Sequence, residues 1–127
     1  MAIAGIGVDR IRIARIESSL ERFGDRFLNR VYTSDEICQA RSKGNPARRL
    51  AMLFAAKEAV SKALATGFRQ GVAPIHIETI HQPSGKPDVQ LYHGAKIVAE
   101  RQGISAIHVS LTDEDGVAMA FAIVEAG

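Results

Sequence analysis

The sequence predicts an α+β domain in which a mostly antiparallel sheet packs against one long helix. Three patterns support this fold class: a short apolar strand at the start, an Ala- and Leu-rich helical segment in the middle, and two apolar hairpins in the second half. Hairpins pair their strands antiparallel, and helices then cover one face of the sheet. With 127 residues, the chain is expected to form a single domain, residues 1–127.

The first half of the chain is predicted to hold one strand and three helices. Residues 3–9 are typical of a short buried strand, and apolar residues at helical spacing predict a helix over 12–23, which Gly24 ends. Thr33 or Ser34 can cap a second helix over 35–42. A loop over 43–46 then leads to a long helix over 47–66, closed by Gly67.

The second half is predicted to hold two hairpins with a helix between them. The first hairpin joins strands 75–81 and 87–92, and residues 94–102 form a helix ended by Gly103. The last hairpin joins strands 106–112 and 117–124 around Asp113-Glu114-Asp115-Gly116.

Composition excludes several classes of protein. The net charge of +2 is too small for a typical nucleic-acid-binding domain. Cys38 is the only cysteine, so no disulfide forms within the chain. The start lacks the pattern of a signal peptide, and the longest apolar run, residues 117–124, is too short to span a membrane. We therefore expect a soluble cytoplasmic protein with no nucleic-acid or membrane partner.

One small domain has little interior, so a bulky ligand needs a surface groove or a neighbouring subunit.

The opening strand places Gly5, Gly7 and Asp9 on one face, because alternate residues of a strand share a face. One interpretation is a glycine-rich strand beneath a packed helix, with Asp9 capping the helix that follows. The other is that the bare backbone lets another group approach beside a carboxylate.

The long helix carries charges where apolar residues are expected. Lys57 falls inside its apolar stripe, while Glu58 and Lys62 lie together on the shoulder, four residues apart. Glu58 and Lys62 could form an ordinary ion pair on the surface of the helix. Alanines on the other side indicate that the helix is buried on both sides, and buried charges need partners. Lys57 could extend its ammonium along the helix surface to water, or it could pair with a carboxylate and help to fix a functional site.

Two further patterns are open to a structural or a functional interpretation. Alternation in the last hairpin puts His108, Ser110 and Thr112 on the face opposite the core, either as an exposed surface or as the wall of a ligand groove. Arginines recur along the first helix and beyond it, as a solvated face or as a surface for an acidic protein. Those arginines are Arg12, Arg15, Arg22, Arg26 and Arg30.

Together these segments resemble the holo-acyl-carrier-protein synthase family, the small bacterial 4'-phosphopantetheinyl transferases. The resemblance covers essentially the whole chain, in order and spacing. The matching runs are Gly5-Ile6-Gly7-Val8-Asp9 with Arg15-Ile16, Phe54-Ala55-Ala56-Lys57-Glu58-Ala59 with Lys62-Ala63, Thr66-Gly67, Gly85-Lys86-Pro87, and His108-Val109-Ser110-Leu111-Thr112.

The resemblance implies the 4'-phosphopantetheinyl transferase fold and an activity. The enzyme would move the 4'-phosphopantetheine group of coenzyme A to a serine of apo-acyl carrier protein in fatty acid biosynthesis. The products would be holo-acyl carrier protein and 3',5'-ADP, and the reaction would require Mg²⁺. The family forms trimers with active sites between subunits, so a homotrimer is expected.

The resemblance also implies roles for individual residues. Asp9 and Glu58 would bind Mg²⁺, and Lys62 would contact the pyrophosphate, so these three form the expected catalytic group. Glu58 is the first choice as base, directly or through a metal-bound water. The residues expected to line the coenzyme A groove are Lys62, Thr66, Gly67, Lys86, Pro87, His108, Ser110 and Thr112. Those expected to dock the carrier protein are Arg15, Arg22 and Arg26.

The chain departs from the family pattern at two places. Family members usually carry a basic residue just before the Phe of the helix motif, where Met52 and Leu53 stand here. Arg48 or Arg49, one turn earlier, is then expected to make the missing phosphate contact. The usual glycine before Thr66-Gly67 is an alanine.

Two other functions are compatible with the same residues. A metal-dependent hydrolase of nucleotide pyrophosphates would use Asp9, Glu58 and Lys62 without any carrier protein. A non-enzymatic module would bind an acidic partner through its arginines without Mg²⁺, but Glu58 and Lys62 would then have no purpose.

Overall fold

The structure is a computed structural model that describes all 127 residues. Its helices are α1 (Ile13–Phe23), α2 (Asp25–Val31), α3 (Ser34–Arg41), α4 (Pro46–Ala63) and α5 (His93–Arg101), with a short 3-10 helix at Pro74–His76. Its strands are β1 (Ala2–Arg12), β2 (Ile77–His81), β3 (Pro87–Leu91), β4 (Ile104–Glu114) and β5 (Val117–Ala126).

All strand pairs are antiparallel, which confirms the predicted α+β class. The larger sheet has the order β1-β5-β4, and β2 and β3 form a separate two-stranded sheet. The β4–β5 turn places Asp115 and Gly116 at positive φ, as tight hairpins require. Helix α4 packs across the inner face of the larger sheet, and its apolar residues form the centre of the core.

Two glycines allow β1 to lie directly on α4. A Cβ atom at Gly5 would overlap the carbonyl oxygen of Ala63, and one at Gly7 would overlap that of Ala59. The strand therefore lies beneath a packed helix, as the first interpretation predicted, and the helix itself fills the space beside the bare backbone of Gly5 and Gly7. Asp9 caps no helix, because the N-cap of α1 is Arg12, which makes no side-chain capping bond.

The N-terminus of α3 is closed by a capping box. The hydroxyl of Thr33 accepts a hydrogen bond from the backbone N–H of Glu36, and the Glu36 carboxylate accepts one from the N–H of Thr33. This confirms Thr33 as the cap. The same Glu36 carboxylate also receives the ammonium of Lys57, so the cap is tied to α4.

Some predicted bounds were wrong for local reasons. Helix α4 ends at Ala63, because Thr66 and Gly67 both donate their N–H groups to the carbonyl of Ser61 and form a turn. Helix α2 was missed, since Gly24 ends α1 and also precedes α2. The opening strand is longer than predicted, and one of its faces is exposed.

No helix of the structure is long and apolar enough to cross a membrane.

Candidate active site

The structure brings three predicted residues together where β1 meets the last turns of α4. The ammonium of Lys62 lies 2.9 Å from Oδ1 of Asp9 and donates a second hydrogen bond of 3.1 Å to the carbonyl of Val8. Glu58 lies one helical turn before Lys62 and is half-buried. Because α4 rests on the backbone of β1, these side chains converge over the strand.

The charge environment of Glu58 is unusual. Burial and the nearby carboxylate of Asp9 raise its pKa above the ordinary value, while Lys62 and Arg15 oppose the shift. The carboxylate of Asp9 is thus close enough to disfavour the charge of Glu58. A bound cation would relieve this repulsion.

The donors of this site fit a magnesium ion. Mg²⁺ prefers oxygen ligands and is commonly held by one or two carboxylates together with substrate phosphates and water. Asp9 and Glu58 supply two carboxylates. The chain has no group of three His, Cys, Asp or Glu side chains that could hold a metal by itself. A site completed by a phosphate-bearing substrate therefore suits these residues better than a closed structural metal site.

Thr66 and Gly67 lie in the turn that ends α4. The Thr66 hydroxyl donates a 2.8 Å hydrogen bond to the carbonyl of Gly67, and the side chain is buried. Gly67 has a φ of 56°, which suits a residue without a side chain. These two residues shape the backbone beside Lys62.

A second feature is a cavity of about 650 Å³ at the free edge of β4, which we call the cationic pocket. Its charged wall contains Lys43, Arg49 and His81, and the β2–β3 turn and Thr112 complete the rim. Burial lowers the pKa of His81, and the neighbouring cations Arg49 and Lys43 lower it further.

The two arginines of the cationic pocket differ in their partners. Arg48 makes a paired contact with Asp113, with its Nε 2.9 Å and its terminal nitrogen 2.8 Å from the two carboxylate oxygens. Arg49 forms no salt bridge. Arg49 is therefore the arginine with charge to offer a ligand. Lys86 is exposed in the β2–β3 turn, and Pro87 begins β3 at the same end of the small sheet.

His108 and Ser110 lie on the opposite face of the larger sheet from Asp9. The register pairs Ser110 with Phe121 and Phe121 with Val8, so these three form one row on the outer face. Thr112 continues this face next to Met119. Inward-facing residues of β4 pack against the core, as predicted, and these are Ile107, Val109 and Leu111. One chain therefore does not bring His108 and Ser110 to Asp9.

The predicted docking arginines are all exposed. Arg15 and Arg22 lie on α1 and Arg26 lies on α2. The guanidinium of Arg22 stands 5.3 Å from the ring centroid of Phe23, which is half exposed. Of the three, Arg15 alone opposes the rise in the pKa of Glu58.

Sequence reasoning did not find Lys43 and His81 as site residues. Lys43 lies in the α3–α4 loop and His81 ends β2, so no periodic pattern relates them. Only the tertiary structure brings these segments beside Arg49.

The chain is similar to known proteins over most of its length. The model of the 4'-phosphopantetheinyl transferase superfamily matches residues 5–122. A holo-[acyl-carrier-protein] synthase of Klebsiella pneumoniae is 46% identical over 125 residues, which cover 98% of this chain and 99% of the relative.

Solved structures show the same fold. Holo-[acyl-carrier-protein] synthase from Neisseria meningitidis superposes with a TM-score of 0.88 at 36% identity, covering 97% of this chain and 98% of the other. The Helicobacter pylori enzyme, in complex with coenzyme A, superposes with a TM-score of 0.84 at 32% identity, covering 94% and 99%. The match spans the strand that carries Asp9 and the helix that carries Glu58 and Lys62, and so this chain belongs to the 4'-phosphopantetheinyl transferase superfamily.

Proposed function

We propose that this chain transfers the 4'-phosphopantetheine group of coenzyme A to a serine of apo-acyl carrier protein. The products are holo-acyl carrier protein and 3',5'-ADP. The observation that carries the proposal is the convergence of Asp9, Glu58 and Lys62 in a chain whose full-length relatives are holo-[acyl-carrier-protein] synthases.

Asp9 and Glu58 are proposed to hold Mg²⁺. When bound, the ion would offset the charge of the coenzyme A phosphates. Lys62, on the same side of α4, is proposed to contact the pyrophosphate and to stabilise the charge that grows on the leaving group. The half-exposed position of Lys62 supports this role, because a substrate phosphate can reach its ammonium.

Glu58 is proposed to take the proton of the attacking serine, directly or through a water. The serine oxygen then forms a bond to the phosphorus that carries the pantetheine arm, and the bond from that phosphorus to the 3',5'-ADP oxygen breaks. A carboxylate with a raised pKa is a stronger base than an ordinary one, which suits proton transfer. Docking of the carrier protein would hold the serine in line for attack.

The cationic pocket is proposed to bind a phosphate of the nucleotide end of coenzyme A. Arg49 is favoured over Arg48, because Asp113 already neutralises Arg48. Lys86 and Pro87 on the neighbouring turn, together with Thr112, would complete the wall. Thr66 and Gly67 are proposed to border the groove on the Lys62 side.

A homotrimer with active sites between subunits is proposed from the outer face of the larger sheet. This face exposes apolar side chains that a monomer would leave in water, with Ile6 62% and Val8 51% exposed beside Phe121 and Met119. His108 and Ser110 stand on the same face, so a subunit that packs there could receive them beside its own Asp9 and Glu58.

Arg15, Arg22 and Arg26 are proposed to dock the acyl carrier protein, which is acidic. Positive charge on a partly wet surface steers an acidic partner and speeds association.

We also propose that residues 1–127 form a single transferase domain, supported by one continuous core. A cytoplasmic location and a role in fatty acid biosynthesis follow from the proposed carrier substrate.

The transfer is tested by mixing the protein with apo-acyl carrier protein, coenzyme A and Mg²⁺, and weighing the carrier by mass spectrometry. The carrier should gain the mass of one phosphopantetheine arm. Excess chelator and Asp9→Ala should each abolish the gain, whereas Asp88→Ala, which changes an exposed carboxylate on β3, should not. Cleavage of coenzyme A without any carrier would indicate a hydrolase instead.

A further inference from the structure

Lys62 pairs with the same carboxylate that is proposed to hold the metal. Its ammonium lies 2.9 Å from Oδ1 of Asp9 and bridges α4 to β1 through the carbonyl of Val8. The two partners differ in exposure, with the lysine side chain 50% and the aspartate side chain 14% exposed. The carboxylate is therefore mostly enclosed, while a ligand can reach the lysine side chain.

An ammonium group and a divalent cation compete for binding to one carboxylate. Both are attracted to the same oxygen atoms, and two positive charges a few ångströms apart repel each other in a partly buried site. The Asp9–Lys62 ion pair thus weakens the binding of a metal by Asp9. It would lose this effect if the ammonium had another anion to bind.

The pyrophosphate of coenzyme A is an anion of that kind. We infer that Lys62 exchanges partners: it neutralises Asp9 until the pyrophosphate draws its ammonium away, so that the metal and coenzyme A bind cooperatively. This inference rests on the proposed function. Lys62 is then a phosphate ligand and also the group that couples the two binding events, which are linked reciprocally.

The coupling is measured with Mn²⁺ as the probe, by electron paramagnetic resonance or calorimetry, with and without saturating coenzyme A and with no carrier present. In the wild type, coenzyme A should tighten Mn²⁺ binding. In Lys62→Met, Mn²⁺ binding without coenzyme A should already be tighter, by about five- to tenfold. The further tightening by coenzyme A should be smaller than in the wild type, because only the direct contact between metal and phosphate remains.

Two matched variants control for charge. Lys62→Arg keeps the positive charge beside Asp9 and should keep the weak Mn²⁺ binding of the wild type without coenzyme A. Lys96→Met removes an exposed lysine of α5 and should leave Mn²⁺ binding unchanged. If Lys62→Met bound Mn²⁺ no more tightly than the wild type without coenzyme A, or retained the full coupling, the exchange would be overturned.

The transfer assay on the same preparations separates this inference from the proposed function. Normal transfer by the wild type with unchanged coupling in Lys62→Met would overturn the partner exchange alone. Absence of transfer by the wild type would overturn the proposed function.

Discussion

The ammonium of Lys57 lies 2.7 Å from the carboxylate of Glu36, and neither side chain is exposed to solvent. Lys57 also donates to the carbonyls of Pro74 and Ile77, so all three of its N–H bonds have acceptors. The pair joins α3, α4 and the start of β2. Lys57 therefore has its carboxylate partner, as the sequence indicated, but this partner lies in the core and not beside Asp9.

Removing one member of this pair should strongly destabilise the fold. Lys57→Met leaves the Glu36 carboxylate buried without its cation, and we expect a loss of about 3–5 kcal/mol in the free energy of unfolding. The double variant with Glu36→Gln should lose less, because no unpaired charge remains. Urea unfolding at one fixed protein concentration measures both. A single variant that lost less than about 1 kcal/mol would contradict a tightly buried pair.

Glu58→Gln should stabilise the protein while it removes activity. Burial and Asp9 disfavour the charge of Glu58, as its raised pKa indicates, so a neutral isostere relieves this cost at neutral pH. Transfer should fall by about 10²-fold or more, since the proposed base and metal ligand is lost. Thermal unfolding without divalent cations and the mass assay for transfer are the two measurements. Glu17→Gln, an exposed residue of α1, is the control and should change neither.

Coenzyme A binding should be accompanied by proton uptake at His81. Burial and the neighbouring cations Arg49 and Lys43 lower the pKa of this histidine, and a phosphate placed among them would raise it. A group whose pKa rises on binding takes up a proton, so affinity should increase as the pH falls through that pKa. Calorimetry near pH 6, in two buffers of different ionisation enthalpy, counts the protons.

The variants identify which group takes up the proton. His81→Gln should lose the uptake, whereas His93→Asn, at an exposed histidine with positive φ, should keep it. The same uptake in His81→Gln would assign the proton to another group of the protein and would contradict a phosphate beside His81.

Charge reversal on α1 should weaken recognition of the carrier protein. Arg22→Glu should raise the carrier's KM, with a milder effect on the KM of coenzyme A, and should make the rate less sensitive to salt. Arg22 is a cleaner test than Arg15, because Arg15 also acts on the charge of Glu58. Arg101→Glu on α5 is the matched control. An unchanged carrier KM at low salt would make α1 an ordinary solvated face.

Two inactive variants should restore activity in mixed trimers. If one subunit supplies Asp9 and its neighbour supplies His108 and Thr112, then Asp9→Ala and a His108→Ala, Thr112→Ala double variant damage different halves of each site. Random assembly of equal amounts should rebuild about a quarter of the sites. The controls are each variant assembled alone and a mixture of the two variants made after their trimers have assembled. No recovery in refolded mixtures that light scattering identifies as trimers would contradict shared sites.

The sequence predicted the fold class and most elements because local chemistry specified them. The hydroxyl residues Thr33 and Ser34 predicted the cap of α3, which is Thr33, and Asp115-Gly116 fits a tight hairpin turn. The last turn of α4 was predicted wrongly, since nothing local shows that Thr66 and Gly67 bond back to Ser61.

The site was predictable only in part. The resemblance grouped Asp9 with Glu58 and Lys62, and the structure places them together. The sequence did not show whether Arg48 or Arg49 is available to a ligand, because Arg48 is neutralised by Asp113, a residue 65 positions away. That His108 and Asp9 lie on opposite faces of the sheet follows from the register across β1, β5 and β4, which alternation within one strand does not reveal.

Gly5 and Gly7 leave no layer of side chains between β1 and α4. The spacing between Asp9 on the strand and Glu58 on the helix is therefore set by main chain resting on main chain. Most substitutions in the core change side chains, and these can repack without altering the main-chain contact between β1 and α4. The distance between the two carboxylates therefore depends little on how the core side chains pack. Core substitutions in this enzyme should lower its stability before they lower its catalytic activity.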